Sequence, residues 1–331
     1  MKKINYCLTF ICAALFFVGC SDDEGFSFPE TTNPETGIVP PSGAKFNELQ
    51  QKALENMTQR ATFKAEKGIV FTSKKGVKLH IQPSTLYNYR GGIATGNVDL
   101  EFVEFYDRGD MLVPNRPLMG NNAQGGYEPL VTGGQFYVNV TQNGLDLGVF
   151  YYDMTVPAEN SGGLDEGMTM WKGTFNADGN LLWGEFEPSQ ETGGVFPNPE
   201  TNEYSVTLSE FGWSNIDRLA GIEGEKTPII VKVPNGYDNK NSSVYVAFKG
   251  EPDVLAFLDI YDVATHSFSE HYGWGPIGFE MYVIFLSESQ GKLIYAIQEV
   301  KLTKGKIINI EASELRLGTE AEITAIIKAL P

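Results

Sequence analysis

Cysteine and histidine are scarce in this chain, with three residues of each among 331. Cys7, Cys12 and Cys20 all precede residue 21, so no disulfide framework can hold the rest of the chain together. His266 and His271 stand five residues apart, whereas two zinc ligands on one helical face stand four apart. The sequence therefore predicts no metal site, no cofactor and a fold that is stabilised by core burial.

The usual catalytic motifs are also missing. The chain contains no Gly-x-Ser-x-Gly elbow, no phosphate-binding glycine loop and no dinucleotide fingerprint, so acyl hydrolysis, nucleotide use and hydride transfer lack their usual supports. Carboxylate pairs remain, because Asp99 and Glu101 share a strand face and Asp107 and Asp110 follow them. A glycosidase needs two carboxyl groups at a defined separation across a cleft. Glycoside hydrolysis therefore stays a hypothesis, ranked third after the two binding functions described at the end of this subsection.

Basic residues are few: 25 Lys and Arg stand against 42 Asp and Glu, giving a formal net charge of −17. Nucleic acid is excluded as a partner, because its binding requires basic side chains to neutralise phosphates. Acidity of this kind more often serves solubility than function.

No apolar run is long enough to cross a bilayer, which takes about 20 residues. Lys2 and Lys3 precede an apolar stretch over residues 6–19, the form of an export signal. Its end, Leu-Phe-Phe-Val-Gly-Cys20, resembles the lipobox of bacterial lipoproteins, which implies a signal peptide over residues 1–19 and acylation of Cys20. The alternative is an ordinary signal peptide with a chance cysteine.

An acidic segment follows Cys20 and consists of Ser21, Asp22, Asp23 and Glu24. It resembles the export tag of Bacteroidetes surface lipoproteins and implies the outer membrane, facing the exterior, with membrane lipid as the first partner. These carboxylates also fit the start of a solvated spacer or periplasmic retention. Residues 20–45 are rich in Pro, Thr and Gly, which predicts a flexible tether.

The rest of the chain predicts an all-β fold: two β-sandwich modules in tandem, with a short N-terminal helix over residues 46–60 and a C-terminal helix. Residues 135–141 alternate cleanly before Asn143-Gly144, the strongest short hairpin signal, and residues 145–156 are predicted to return as the partner strand. Residues 168–175 and 181–186 predict a second hairpin, with Trp171 and Trp183 packing across it.

A family resemblance rests on the segment KGVKLHIQPSTL, the segment GNVDLEFVEF, and residues 211–218, FGWSNIDR. Together they resemble the ZU5-like β-sandwich of uncharacterised Bacteroidetes surface proteins, which implies a domain over residues 46–224 and brings no activity with it. Ile216 stands where cysteine is frequent in that motif. Residues 225–331 resemble an immunoglobulin-like sandwich, closed by a helix over residues 320–330 with a Thr319/Glu322 capping box.

Candidate ligand contacts lie in one aromatic stretch of the second module. Aromatic faces on loops can stack on sugars or anchor a protein partner, and the alternative is that these rings fill the end of the sandwich. Arg108-Gly109-Asp110 is the integrin tripeptide, which chance explains. The candidate residues are Tyr261, His266, Phe268, His271, Tyr272 and Trp274.

The sequence thus predicts a surface-exposed outer-membrane lipoprotein that binds without catalysis. The first hypothesis is glycan capture beside a nutrient-uptake system. The second is a structural or adhesive module that recognises an envelope protein.

Overall fold

The computed structural model describes residues 38–121, 126–177, 179–186, 193–271 and 273–331. Within these ranges strands predominate over three α-helices and two short 3-10 helices, which confirms the all-β class. In the part of the chain so described, no helix combines the length and apolar character needed to cross a membrane.

Elements up to residue 219 comprise two helices, a 3-10 turn and fifteen strands. They are α1 (Gly43–Met57), β1 (Gln59–Lys64), β2 (Ile69–Thr72), β3 (Lys78–Ile81), β4 (Leu86–Tyr87), β5 (Asn97–Phe105), α2 (Arg108–Leu112), β6 (Met119–Asn121), β7 (Tyr127–Gln142), β8 (Leu145–Asp146), β9 (Gly148–Val149), β10 (Tyr152–Pro157), the 3-10 turn Ala158–Ser161, β11 (Thr169–Phe175), β12 (Leu181–Glu185), β13 (Gly193–Asn198), β14 (Glu203–Leu208) and β15 (Gly212–Leu219).

These strands form two main sheets that enclose an apolar core. The larger has the order β1-β5-β7-β15-β11-β12-β6, with β8 added to β7, and the smaller has the order β13-β14-β10-β3-β2. Alternate residues of each sheet point into the space between them, as the period-2 pattern predicts. The core contains Leu79, Ile81, Leu100, Phe102, Phe136, Val138, Met154 and Val206.

Elements after residue 225 comprise eleven strands, a 3-10 turn and one helix. They are β16 (Lys226–Thr227), β17 (Ile230–Lys232), β18 (Ser242–Phe248), β19 (Ala256–Phe257), β20 (Ile260–Asp262), β21 (Ser267–Ser269), β22 (Gly275–Pro276), β23 (Glu280–Ser289), β24 (Lys292–Lys301), β25 (Ile307–Asn309), the 3-10 turn Ala312–Glu314, β26 (Arg316–Gly318) and α3 (Glu320–Lys328).

The sheets of this second part have the orders β19-β18-β23-β24-β26 and β20-β21-β17-β25, beside the pair β16-β22. Strand β23 pairs on both sides and is buried on both faces from Met281 to Glu288, as its nearly continuous apolar sequence predicts. Helix α3 begins with the predicted capping box, in which Thr319 and Glu322 bond each other's backbone amides.

A second apolar cluster, here called the central cluster, joins the two parts of the chain. Among the described residues, strand pairing never crosses residue 224, yet this cluster combines side chains from the outer face of the large sheet with others from β18, β23, α1 and α3. It includes Phe46, Phe105, Trp171, Trp183, Trp213, Tyr245, Ile284, Ile323 and Ile327. The tandem division at residue 224 remains a prediction.

One predicted hairpin is only partly correct. Asn143 and Gly144 both have positive φ, 52° and 77°, as a tight two-residue turn requires. The prediction of one partner strand over residues 145–156 is wrong, because only β8 pairs with β7 and β10 pairs with β3 and β14 in the smaller sheet. Leu147 and Val149 enter the core between the sheets, so the chain crosses from one sheet to the other there.

The integrin tripeptide is not accessible. Arg108 is fully buried, and its guanidinium donates to the carbonyl oxygens of Phe248 (3.2 Å), Ile327 (3.0 Å) and Leu330. Asp110 binds Lys328 at 2.7 Å. The three residues therefore connect α2 to the C-terminal helix, and a receptor cannot reach Arg108.

Asp253 is a half-buried acidic residue close to α2. Burial and the neighbouring carboxylate of Asp107 raise the pKa of Asp253 to about 6, although Arg108 acts in the opposite direction. The folded state therefore favours the protonated acid. The stability that the protonated Asp253 side chain contributes is complete below its unfolded pKa of about 4 and is lost as pH rises through its folded pKa of about 6.

We expect Asp253→Asn to gain stability relative to the native chain as pH rises from about 4 to about 7, because the amide does not ionise. Urea unfolding of both proteins across this range measures the difference. Asp262→Asn is the control. Hydrogen bonds from Ala264 and Thr265 lower the pKa of Asp262, so this variant is expected to lose stability relative to the native chain as pH rises. A difference for Asp253→Asn that stays constant with pH contradicts the prediction.

Candidate functional site

An open depression lies where α1, the segment after α2, the β11–β12 turn and the second part of the chain meet. It has a free volume of about 850 Å³, and we call it the amide groove. Its lining residues are Gly43, Ala44, Phe46, Asn47, Gln50, Gln51, Pro114, Asn115, Arg116, Phe175, Gly179, Asn180, Asn239, Lys240, Ser243 and Phe257.

Helix α1 forms one wall of the amide groove. Phe46, Gln50 and Ala53 follow the helical repeat and form its buried stripe, with Phe46 and Ala53 in the central cluster. Gln50 is only 9% exposed, and its Nε2 has no hydrogen-bond partner among the described residues. Asn47 and Gln51, one helical turn apart, present exposed amides beside it.

The segment after α2 forms the opposite wall. Asn115 has a left-handed backbone (φ 56°), a conformation that asparagine tolerates better than most residues. Tyr245 donates its hydroxyl to Asn115 Oδ1 at 2.8 Å, which fixes the amide and directs its N–H groups away from that bond. A side chain of the second part of the chain thereby orients a groove residue of the first.

Arg116 brings a positive charge to this wall. Its Nη1 donates to the carbonyl oxygens of Pro114 (2.9 Å) and Asn115 (2.8 Å), and its guanidinium carbon lies 5.0 Å from the Trp213 ring and 5.6 Å from the Phe175 ring. Such contacts attract a cation to the faces of aromatic rings. Burial lowers the pKa of Arg116 to about 10, which still leaves the side chain charged at neutral pH.

The chemical character of the groove follows from its side chains. Six of them are amides, two are cations and none of the described lining residues is acidic. Amides donate and accept hydrogen bonds at the same site. Phe175, 51% exposed, adds an apolar ring at the rim. This arrangement suits a polar ligand with many hydroxyl groups and at least one apolar face.

The aromatic stretch predicted from the sequence lies elsewhere and divides between core and surface. Phe268 and Trp274 are 1% and 3% exposed and pack in the core, which fits the alternative that these rings fill the end of the sandwich. Tyr261 packs against Phe268 with ring centres 5.0 Å apart and ring planes tilted by 57°, and it donates to the Tyr237 carbonyl oxygen. The exposed His266 ring nitrogen lies 3.3 Å from the Tyr261 hydroxyl.

His271 lies apart from Tyr261 and His266. Its Nδ1 is 2.9 Å from the Asp259 carboxylate, and with Trp274 it lines a narrow cleft against Tyr127 and Leu182. Tyr272, Cys20, Ser21, Asp22, Asp23 and Glu24 lie outside the described residues. The predicted lipidation and export signal therefore stay predictions.

Sequence reasoning missed the amide groove. Two local features of the sequence could have indicated the groove. Gln50 interrupts the apolar stripe of α1 at a buried position, and Asn115-Arg116 stands between two prolines. Neither pattern matches a known motif. No family model matches the chain, and no curated protein shows significant sequence similarity to it.

Proposed function

We propose that this protein binds a glycan in the amide groove, without catalysis, as a lipid-anchored protein of the outer-membrane surface. The observation that carries the proposal is the set of six amide side chains around an open groove with an exposed aromatic ring. Sugar hydroxyls need both donors and acceptors, which amides supply, and the C–H face of a sugar ring packs on an aromatic side chain.

The absence of acidic side chains among the described lining residues supports binding over hydrolysis. The carboxylates considered from the sequence are engaged elsewhere: Asp99 accepts from Thr62 at 2.6 Å, and Glu101 pairs with Arg60 at 2.9 Å. A glycosidase needs two carboxyl groups facing one bond. No such pair is found among the described residues that line the amide groove, so the glycosidase hypothesis ranks third.

The lipid anchor belongs to the same proposal and rests on the sequence. Acylation of Cys20 with two or more chains gives stable membrane attachment. Gly43 and Ala44, which line the groove, lie at the end of the predicted tether of residues 20–45. A glycan captured there is held near the attached end of the protein, which suits delivery to a neighbouring uptake system.

Recognition of an envelope protein is the second candidate function. Phe150 and Tyr151 are adjacent and expose 55% and 44% of their surface, and Tyr87 packs on Phe150 with ring centres 5.0 Å apart and ring planes tilted by 35°. Apolar surface of this kind is typical of protein contacts. The patch is small beside the groove, so we rank glycan binding first.

A glycan array with the full chain in detergent tests the proposal. We expect the native protein to bind at least one glycan class, and the double variant Asn47→Ala, Gln51→Ala to lose roughly tenfold in affinity or more, because two hydrogen-bonding amides are removed. Phe196→Ala, an exposed aromatic residue outside the groove, is the matched control and keeps full binding.

Two results contradict the proposal. One is no glycan bound at millimolar concentration. The other is loss of binding in Tyr261→Ala with full binding in the groove variant, which moves the site to the aromatic stretch.

A further inference from the structure

Arg116 is half-buried and differs from the fully buried Arg108 in what surrounds its charge. Arg108 is satisfied by backbone carbonyl groups on several sides. Arg116 uses Nη1 for two carbonyl oxygens of its own turn, while Nε is buried without a hydrogen-bond partner. Its Nη2 makes no hydrogen bond within the described part of the chain. A partly buried guanidinium that forms no ion pair favours the binding of an anion beside it.

The protein itself supplies no such anion among the described residues. Arg60 and Arg218 each pair with a carboxylate, at 2.9 Å to Glu101 and 2.7 Å to Asp165. Arg116 forms no ion pair with any described residue, and the described residues that line the amide groove include no Asp or Glu. In a chain with 42 acidic residues, the described residues that line the groove carry only positive charges and neutral groups.

A second cation lies on the same groove. Lys240 is exposed, and its backbone N–H is held by the Asp238 carboxylate at 2.8 Å, which fixes the turn that carries it. Its ammonium group forms no ion pair with a described residue. Arg116 and Lys240 therefore create a positive potential at the groove, which concentrates anions there.

We infer that the glycan taken by the amide groove is acidic, and that its carboxylate or sulfate group lies against Arg116 with Lys240 nearby. The inference rests on the proposed function and adds the ligand class. The Nη2 amino group of Arg116 donates to the anion in a charge-assisted hydrogen bond, while the six amides bind the hydroxyl groups of the sugar. The anion offsets the cost of the unpaired guanidinium, so binding is selective for charge.

The test is a titration of the full chain in detergent with matched pairs of glycans that differ in charge. Oligogalacturonate and its methyl ester form the carboxylate pair, and sulfated and unsulfated dextran oligomers form the sulfate pair, within an array of acidic and neutral glycans. We expect the acidic member of at least one pair to bind about tenfold tighter or more. Which pair responds distinguishes carboxylate from sulfate.

The variants locate the effect. We expect Arg116→Gln to bind both members of the pair equally, Lys240→Gln to reduce the preference only severalfold, and Lys52→Gln, an exposed lysine of α1 outside the groove, to keep it. Unfolding midpoints check that each variant is folded. If Arg116→Gln does not fold, the salt dependence of the native protein decides: affinity for the acidic glycan falls with salt, and affinity for its neutral partner does not.

The outcomes separate the two proposals. Binding of neutral glycans with equal or higher affinity overturns the charge inference and leaves glycan binding in place. A charge preference that persists in Arg116→Gln also overturns it. No glycan bound at all overturns both.

Discussion

Replacement of Arg108 by alanine is expected to lower the free energy of unfolding by about 3 kcal/mol or more, because several buried carbonyl groups lose their donor at once. Three of these carbonyls belong to Phe248, Ile327 and Leu330, so the side chain ties α2 to β18 and to the end of α3. The midpoint of urea unfolding, compared at equal slope, measures the loss.

Arg316→Ala is the matched control for Arg108→Ala. Arg316 also donates to two carbonyl oxygens, of Ser313 (2.8 Å) and Leu315 (3.1 Å), but it is only half-buried, so water can replace it. Its loss is expected to stay within about 1 kcal/mol. Equal effects of the two substitutions would show that burial of the Arg108 bonds contributes nothing.

Trp183→Ala is expected to cost about 3–5 kcal/mol, the range for removing a fully buried indole from a core. Trp183 is 0% exposed, lies in the central cluster and donates its indole N–H to the Pro117 carbonyl oxygen at 3.1 Å. The substitution leaves both a cavity and an unpaired carbonyl group. Chemical denaturation of the full chain measures the change.

Phe175→Ala is the control for Trp183→Ala, because Phe175 is an aromatic residue on the paired strand β11 but is half exposed. Its removal is expected to change stability by less than about 1 kcal/mol. A loss for Trp183→Ala as small as that for Phe175→Ala would mean that the central cluster does not stabilise the fold.

Much of the fold is predictable from local patterns. The alternation around Val138 and Val140, the apolar run of β23, and the Thr319/Glu322 capping box each match the element that forms, because each depends on neighbours in sequence. The predicted helix over residues 46–60 begins and ends about three residues earlier, since Gln59 already pairs with Phe102 in β1.

Local patterns do not show what packs against the outer face of the large sheet. Trp171 and Trp183 lie on paired strands as predicted, yet their rings are buried against the second part of the chain as well as within the hairpin. The alternation of a strand indicates which side chains share a face but not what covers that face. The central cluster is therefore invisible in the sequence.

The candidate site is missed for a related reason. The amide groove draws residues from five separate segments of the chain, and amide side chains follow no catalytic or metal-binding spacing. Aromatic residues attract attention in a sequence, but Phe268 and Trp274 are core residues here. Arg116 stands out only in the structure, where its guanidinium forms no ion pair with a described residue.

A crystal structure of the full chain with its tightest-binding glycan tests the central claim most directly. We expect the sugar to occupy the amide groove, with hydroxyl groups bonded to Asn47, Gln50 or Gln51 and the anionic group against Arg116. A glycan bound outside the groove, or bound in it with Arg116 still unpaired, would contradict the account.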